Sequence, residues 1–500
     1  MALEFWPSVG AGLLAVLAGA LLLEACLTPR PRRRGRPLSA WAAQGGIGML
    51  LYALELILFQ RAGFGAAMAL SSLLLLVVVN NDKHKLLREP FLFQDFEYFT
   101  DLLRHPRLYL PFFGVGKALA GLAAFLAAVY AGLTLEPSLP ARGGWAAYLS
   151  AVAGLVGGGV LLLRYAARRP AALCFDPAAD LRQLGFLGFL WAYGQAERRP
   201  LAAAAHPFAP PPQSSARPDL VVVQSESFFD PRPLYPAIAP GVMAEFDRLR
   251  DAAQRHGRLT VPAWGANTVR TEFAFLSGRA AHTLGVHRFN PYRRLAGAGI
   301  ATLASYLRGL GYRTVCLHPY PASFYRRDRR YPAMGFDEFI DIAHFAEAER
   351  CGAYVGDVAL GRSVRRLLEN PAAPLFVFVI TMENHGPLHW ESVAADDAAR
   401  LYQTPPPPGF DDLTIYLRHL ENANRMLAEL RDALRQSPRD GWLCWYGDHV
   451  PIMPKVYAER GFADGRTDYF IWGRNGAPTT AAFDLCADEL AAALLEIAMV

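Results

Sequence analysis

Hydrophobic positions divide the 500-residue chain into two unlike parts. In the first third, apolar runs fill residues 8–27, 39–59, 63–79, 111–133 and 145–163, with few charges inside any of them. Each run approaches the roughly 20 residues that a hydrocarbon core of about 30 Å demands, so the pattern predicts five transmembrane helices. The first run lacks a basic start and four similar segments follow it, which argues against a cleaved leader. A further stretch, LGFLGFLWAYGQ at 184–195, is short for a sixth span and reads as an interfacial segment.

From residue 218 the period changes, and short apolar runs alternate with amphipathic stretches. LVVVQ (220–224), RLTVPA (258–263), YRTVCLH (312–318), LFVFVIT (375–381), GWLCWYG (441–447) and YFIWG (469–473) read as strands. Their unbroken Val, Leu and Phe content predicts burial on both faces, hence a mostly parallel sheet flanked by helices. Helices are predicted at 243–255, 302–311 and 412–436. The Ala-, Pro- and Ser-rich stretch at 197–219 reads as a linker. The expected organisation is a transmembrane domain over 1–170, an interfacial segment and linker over 171–217, and an α/β domain over 218–500.

Charge bears on orientation. Five arginines in PRPRRRGR (29–36), the basic NDKHKLLREP (81–90), and Arg164, Arg168 and Arg169 flank predicted spans. With five spans these segments share one side, and the positive-inside rule calls that side cytoplasmic, along with everything after residue 170. The net charge of +5 comes partly from these arginines and is no nucleic-acid signature. The six cysteines lie far apart, with no CxxC spacing and no pairing to infer. Beyond Glu55, no ionisable cluster interrupts the spans, which disfavours a transporter.

In an open α/β sheet, ligands gather beyond the carboxyl ends of the strands. After the predicted strands come Glu226, Thr268, His318, His385, and the pair Asp448 and His449. Two carboxylates and an imidazole suit a divalent cation such as Mn²⁺, Mg²⁺ or Zn²⁺, and a threonine hydroxyl beside that cation becomes a usable nucleophile toward phosphorus. Each residue also has a plainer reading. Thr268 fits a helix N-cap that Thr271 or Glu272 completes. The stretch GDH (447–449) fits a turn, Glu226 a capping carboxylate, and His318 and His385 satisfied core histidines. One metal site accounts for all of them together.

VVQSESF (222–228), NTVRTEF (267–273), TMENHGP (381–387) and YGDHVP (446–451), in this order, resemble the lipoteichoic acid synthase and phosphoglycerol transferase family. That family is a branch of the alkaline phosphatase and sulfatase superfamily, and the resemblance covers most of 218–475. It implies that Glu226, Thr268, Asp448 and His449 are metal ligands around one divalent cation, with Mn²⁺ first among the candidates. It also implies that Thr268 is the nucleophile loaded with glycerol phosphate, and that His318, Tyr325, Arg327 and His385 line the headgroup pocket. Family members often carry Trp where this chain has Tyr325. A bidentate contact from Arg327 suits a phosphate.

The implied donor is phosphatidylglycerol, and the implied acceptor is a cell-envelope glycan or polymer. The implied place is the cell (inner) membrane, with the catalytic domain extracytoplasmic and in contact with membrane lipids; the arginine distribution points the other way. Phosphoethanolamine transfer and sulfate-ester or phosphodiester hydrolysis are the nearest alternatives. Thr268 with Arg270 does not match the C/S-x-P-x-R pattern of sulfatases, and the scattered cysteines differ from the disulfide-bonded domain usual in phosphoethanolamine transferases. A degenerate, merely regulatory domain predicts a missing ligand, whereas all four candidates are present.

Overall fold

A computed structural model describes residues 2–99, 115–199, 201, 207–208, 217–295, 299–369, 371–461 and 464–499. The chain forms two compact units, Met1–Pro200 and Leu201–Val500. The family-level expectation of apolar helices followed by a helix-flanked, mostly parallel sheet is met.

In the first unit, four helices among the described residues are long and apolar enough to cross a membrane: Glu4–Cys26, Leu38–Phe59, Ala62–Leu87 and Leu139–Arg168. The predicted run at 111–133 lies partly outside the described residues, and its described portion belongs to the apolar helix Val115–Leu135. Gln60, in the left-handed region, closes one helix, and the next starts two residues later at Ala62, so a Gln-Arg pair suffices as the connection.

Hydrogen bonds sort the loops by end. At one end, the Arg32 N–H donates to the Arg182 carbonyl, the Asn81 amide to the Cys26 carbonyl, and Lys83 pairs with Asp95. At the other, the Leu139 N–H donates to the Gln60 carbonyl at 2.7 Å, and Arg61 donates to the Leu133 and Glu136 carbonyls. The stretch at 184–195 is no span: Gly185 separates the helices Pro177–Leu184 and Phe186–Ala196, and 11 residues reach only about 16 Å. Phe186, Leu187, Phe189, Leu190 and Tyr193 are buried there, and the Phe186 N–H donates to Glu24.

The second unit is built on an eight-stranded sheet. In chain order its strands, with one separate hairpin, are β1 (Asp219–Ser225), β2 (Arg255–Thr260), β3 (Arg313–Leu317), β4 (Glu338–Ile340), β5 (Arg350–Cys351) and β6 (Tyr354–Val355). They continue with β7 (Leu375–Ile380), β8 (Gly441–Gly447), β9 (Thr467–Gly473) and β10 (Leu485–Cys486). The sheet order is β10-β2-β9-β8-β1-β7-β3-β4, and β5 pairs only with β6. Within the eight-stranded sheet only β9 runs against the rest, since it is antiparallel to both β8 and β2 while every other pair of that sheet is parallel.

The central strands alternate their burial between two cores. Val221, Val223, Val377 and Val379 face the helices Asp357–Leu368 and Asp411–Gln436; Leu220, Val222, Phe376 and Phe378 face Thr268–Ser277 and Ala487–Ala498. This double burial is why those segments read as continuous apolar runs. Three strands differ from the sequence reading. The strand expected over 258–263 ends at Thr260, and β4 and β10, of three and two residues, are too short to leave a period.

Candidate metal and nucleophile site

The central parallel strands deliver their carboxyl ends to one edge of the sheet. Registers Gln224↔Ile380 and Ser225↔Gly447 align the ends of β1, β7 and β8, so Glu226, Thr381 and Asp448 emerge side by side. Gly447 is required there, because a Cβ would overlap the Phe228 carbonyl oxygen of the neighbouring chain segment. Ser227 turns the chain sharply after Glu226 with a φ of 54°. Its N–H donates to Asp448 Oδ1 at 2.7 Å and its hydroxyl to Glu226 Oε1 at 2.9 Å. The Glu226 N–H donates to Thr381 Oγ1 at 3.0 Å, and the Thr271 hydroxyl to the Asp448 carbonyl at 2.7 Å.

These contacts aim the ligand-type atoms at one another. Glu226, Asp448 and His449, all buried, offer one ligand atom each within 4.8 Å of the others. His449 Nε2 lies 3.5 Å from Glu226 Oε1 and 3.4 Å from Asp448 Oδ2. His449 Nδ1 donates to the Val450 carbonyl at 3.1 Å, which turns Nε2 toward the two carboxylates. Asp448 Oδ2 is buried, with no hydrogen-bond partner among the described residues. Burial, then the Asp448 charge, pushes the Glu226 carboxyl up to about 8. A buried orphan oxygen, two converging carboxylates and an imidazole nitrogen turned toward them fit a divalent cation, whose charge would relieve the repulsion.

Thr268 joins the cluster from another element. Its hydroxyl lies 3.4 Å from Glu226 Oε2, and it is the first residue of the helix Thr268–Ser277. The N-cap reading of Thr268 does not hold: Asn267 occupies the cap position, in the left-handed region at φ 69°, without a side-chain cap bond. Thr271 and Glu272 do not complete a cap either, since Thr271 bonds to Asp448 and Glu272 to Arg327. The turn before the helix thus presents a half-buried hydroxyl at the edge where the carboxylates meet.

The other expected residues come from the chain just after β3 and β7. His318, just after β3, donates from Nδ1 to the Ile380 carbonyl at 3.1 Å. Burial, and next the Arg327 guanidinium, holds its imidazole well below the usual range, so it is neutral. Tyr325 and Arg326 both adopt positive φ, at 52° and 54°, and the Arg327 guanidinium lies 5.2 Å from the Tyr325 ring centre. Backbone of this kind clusters at functional sites, and Ser227 and Asn267 share it here. Arg327 departs from the expectation of a free phosphate clamp. It is 1% exposed, and all three guanidinium nitrogens bond internally: Nε and Nη2 to Glu272, Nη1 to His318.

His385 donates from Nδ1 to the Gly386 carbonyl at 2.8 Å, and the Tyr354 hydroxyl lies 3.3 Å from the same nitrogen. Burial lowers its affinity for a proton, while the Gly386 carbonyl and the Asp448 charge raise it. Ser227, Thr381, Thr271, Glu272 and Tyr354 were not singled out as site residues in the sequence. Ser227, Thr271, Glu272 and Thr381 fall inside the quoted motifs, in SES, TEF and TMENHGP, whereas Tyr354 falls in none of them. Glu383 and Asn384 of TMENHGP serve structure instead: Glu383 accepts the Asp357 N–H at the start of a helix, and Asn384 meets His419.

A mostly parallel sheet whose strand ends converge on a two-carboxylate, one-imidazole cluster beside a helix-starting threonine defines an alkaline phosphatase/sulfatase-like domain behind a set of apolar helices. The Sulfatase family model matches residues 218–500, and the chain belongs to that family. It is 35% identical over 259 residues to the capsular polysaccharide biosynthesis protein RkpI of Rhizobium meliloti, an alignment covering 51% of this chain and 45% of that protein. Among solved structures it is similar to the Streptococcus pyogenes phosphoglycerol transferase GacH in complex with sn-glycerol-1-phosphate, at 22% identity and a TM-score of 0.49, covering 58% of this chain and 76% of that one. It is also similar to the lipoteichoic acid synthase LtaP from Listeria monocytogenes, at 20% identity and a TM-score of 0.46, covering 57% and 73%.

Proposed function

We propose that the chain is a membrane-bound phosphoglycerol transferase that moves glycerol phosphate from phosphatidylglycerol to a cell-envelope glycan or polymer through Thr268. The observation that carries this reading is the Thr268 hydroxyl 3.4 Å from Glu226, beside Asp448 and His449. Glu226, Asp448, His449 and Thr268 would hold one divalent cation, with Mn²⁺ first among the candidates. When bound, it supplies Lewis-acid stabilisation of a phosphoryl group and of the threonine alkoxide.

In the first step Thr268 Oγ1 forms a bond to the donor phosphorus while the bond to the diacylglycerol oxygen breaks. Diacylglycerol leaves as the alcohol, carrying a proton, and a phosphoglyceryl-threonine remains. In the second step an acceptor hydroxyl bonds to the same phosphorus, and Thr268 regains its proton as the threonine ester breaks. His385 is our assignment for moving these protons. Its Nδ1 is committed to the Gly386 carbonyl, whereas among the described residues its Nε2 makes no hydrogen bond. His318 has both nitrogens engaged and serves, with Tyr325, as wall for the headgroup.

A glycan acceptor is supported by the relative named for capsular polysaccharide biosynthesis. We place the catalytic domain outside the cytoplasm. The arginine-rich end of the helical unit is less strongly charged than its sequence, since Arg36 is buried against Glu24 and Gln44.

The test is mass spectrometry of the full-length protein in detergent after incubation with phosphatidylglycerol and Mn²⁺. A glycerol phosphate adduct on Thr268, missing in Thr268→Ala, is expected. An ethanolamine phosphate adduct formed only from phosphatidylethanolamine would sink this reading in favour of the rival transferase.

A further inference from the structure

One turn beyond Thr268, Glu272 is 0% exposed and receives four hydrogen bonds. The Tyr292 and Tyr331 hydroxyls both donate to Oε1. Arg327 donates from Nε to Oε1 at 3.4 Å and from Nη2 to Oε2 at 2.7 Å. The third guanidinium nitrogen, Nη1, lies 3.2 Å from His318 Nε2. Because the Ile380 carbonyl can only accept, the proton of His318 sits on Nδ1, and Nε2 offers the lone pair to which Nη1–H donates. An unbroken line of polar contacts therefore runs from the nucleophile helix through Glu272, Arg327 and His318 to the end of β7.

Stability alone does not account for this line. A buried ion pair is commonly replaceable by apolar groups of equal volume without loss, so its retention in the core points to a task of orientation. That task is visible in the backbone. Tyr325 and Arg326 sit at φ 52° and 54°, conformations that persist only where the surroundings over-determine them. The anchoring of the next residue, Arg327, in the grip of Glu272 supplies that constraint.

We infer that Glu272 is a positioning residue for the transfer reaction: acting through Arg327, it fixes His318 in one tautomer and holds the turn that displays Tyr325, so that the headgroup wall keeps its geometry relative to Thr268. The inference rests on the phosphoglycerol reading for its consequence in catalysis, and on the contacts alone for the tautomer.

The experiment uses full-length protein in detergent with ring-¹⁵N-labelled histidine, and His318 is assigned by the signals lost in His318→Gln. Wild-type His318 is expected as a neutral imidazole with the proton on Nδ1. Glu272→Gln strands a buried guanidinium and threatens folding, so the deciding variant is the charge-neutral Glu272→Gln/Arg327→Met. In it, His318 is expected to shift to a mixture of tautomers, and loading of Thr268 from phosphatidylglycerol to slow by about 10–100-fold, the usual cost of losing an outer hydrogen-bond partner. A wild-type His318 that carries its proton on Nε2 overturns the proposal. So does a folded double variant that keeps the wild-type tautomer or loads at the wild-type rate. If wild-type protein takes no glycerol phosphate at all, the functional reading fails, and the tautomer measurement still decides the relay.

Discussion

The Thr268 hydroxyl and Glu226 Oε2 stand 3.4 Å apart although 42 positions separate them, because β1 ends where the Thr268–Ser277 helix begins. If one cation joins them, their losses should differ in kind. Glu226→Gln removes an anionic ligand and should weaken Mn²⁺ binding by at least about 10–100-fold, the cost of losing even an outer-shell partner. Thr268→Ala should bind the ion nearly as wild type yet lower transfer by at least about 10³-fold. Calorimetric titration with Mn²⁺ beside a transfer assay separates the two; equal metal affinity in Glu226→Gln and wild type would remove Glu226 from the ligand set.

Metal removal should make stability depend on pH. With chelator present, the folded state holds a proton on Glu226 up to about 8, whereas the unfolded chain releases it near 4.5. The folded state thus binds more protons across that window, so stability is fully present below about 4.5 and falls as pH rises toward about 8. Bound cation takes the proton's place and should flatten the slope. Melting temperature against pH, with EDTA and with Mn²⁺, measures this; identical slopes would refute it.

Gly447→Ala should be severe for a steric reason. The added methyl meets the Phe228 carbonyl oxygen, and β8 cannot draw away from β1 to make room without moving Asp448, the next residue. Destabilisation at or above about 3 kcal/mol, the upper range for overpacking, is expected with loss of metal binding. Denaturant unfolding that shows a cost below about 1 kcal/mol would contradict the close approach.

His385→Gln should lower kcat by about 10²–10⁴-fold, the usual contribution of a positioned acid or base, with little change in KM. A rise in KM at unchanged kcat would instead make His385 a headgroup contact only.

Reporters active on one side of the membrane test orientation. Fusions at Arg33 and Arg199 should report one compartment, and fusions at Arg61 and Glu136 the opposite one, because contacts place 32 beside 182 and 60 beside 139. A cytoplasmic signal at Arg199 would overturn the extracytoplasmic assignment.

The apolar runs, the buried central strands and the ligand-type residues at their ends were legible in the chain itself. Those features depend on local period and residue chemistry: solvent exclusion on both faces of β1, β7 and β8 forces continuous Val, Leu and Phe, and few side chains other than Asp, Glu and His hold a hard cation. The partnership of Glu272 with Arg327, the saturation of both His318 nitrogens and the capping task of Glu383 belonged to the tertiary structure alone. A buried polar group must find partners wherever the fold brings them, 55 residues away for Glu272 and Arg327, and no spacing along the chain encodes that distance.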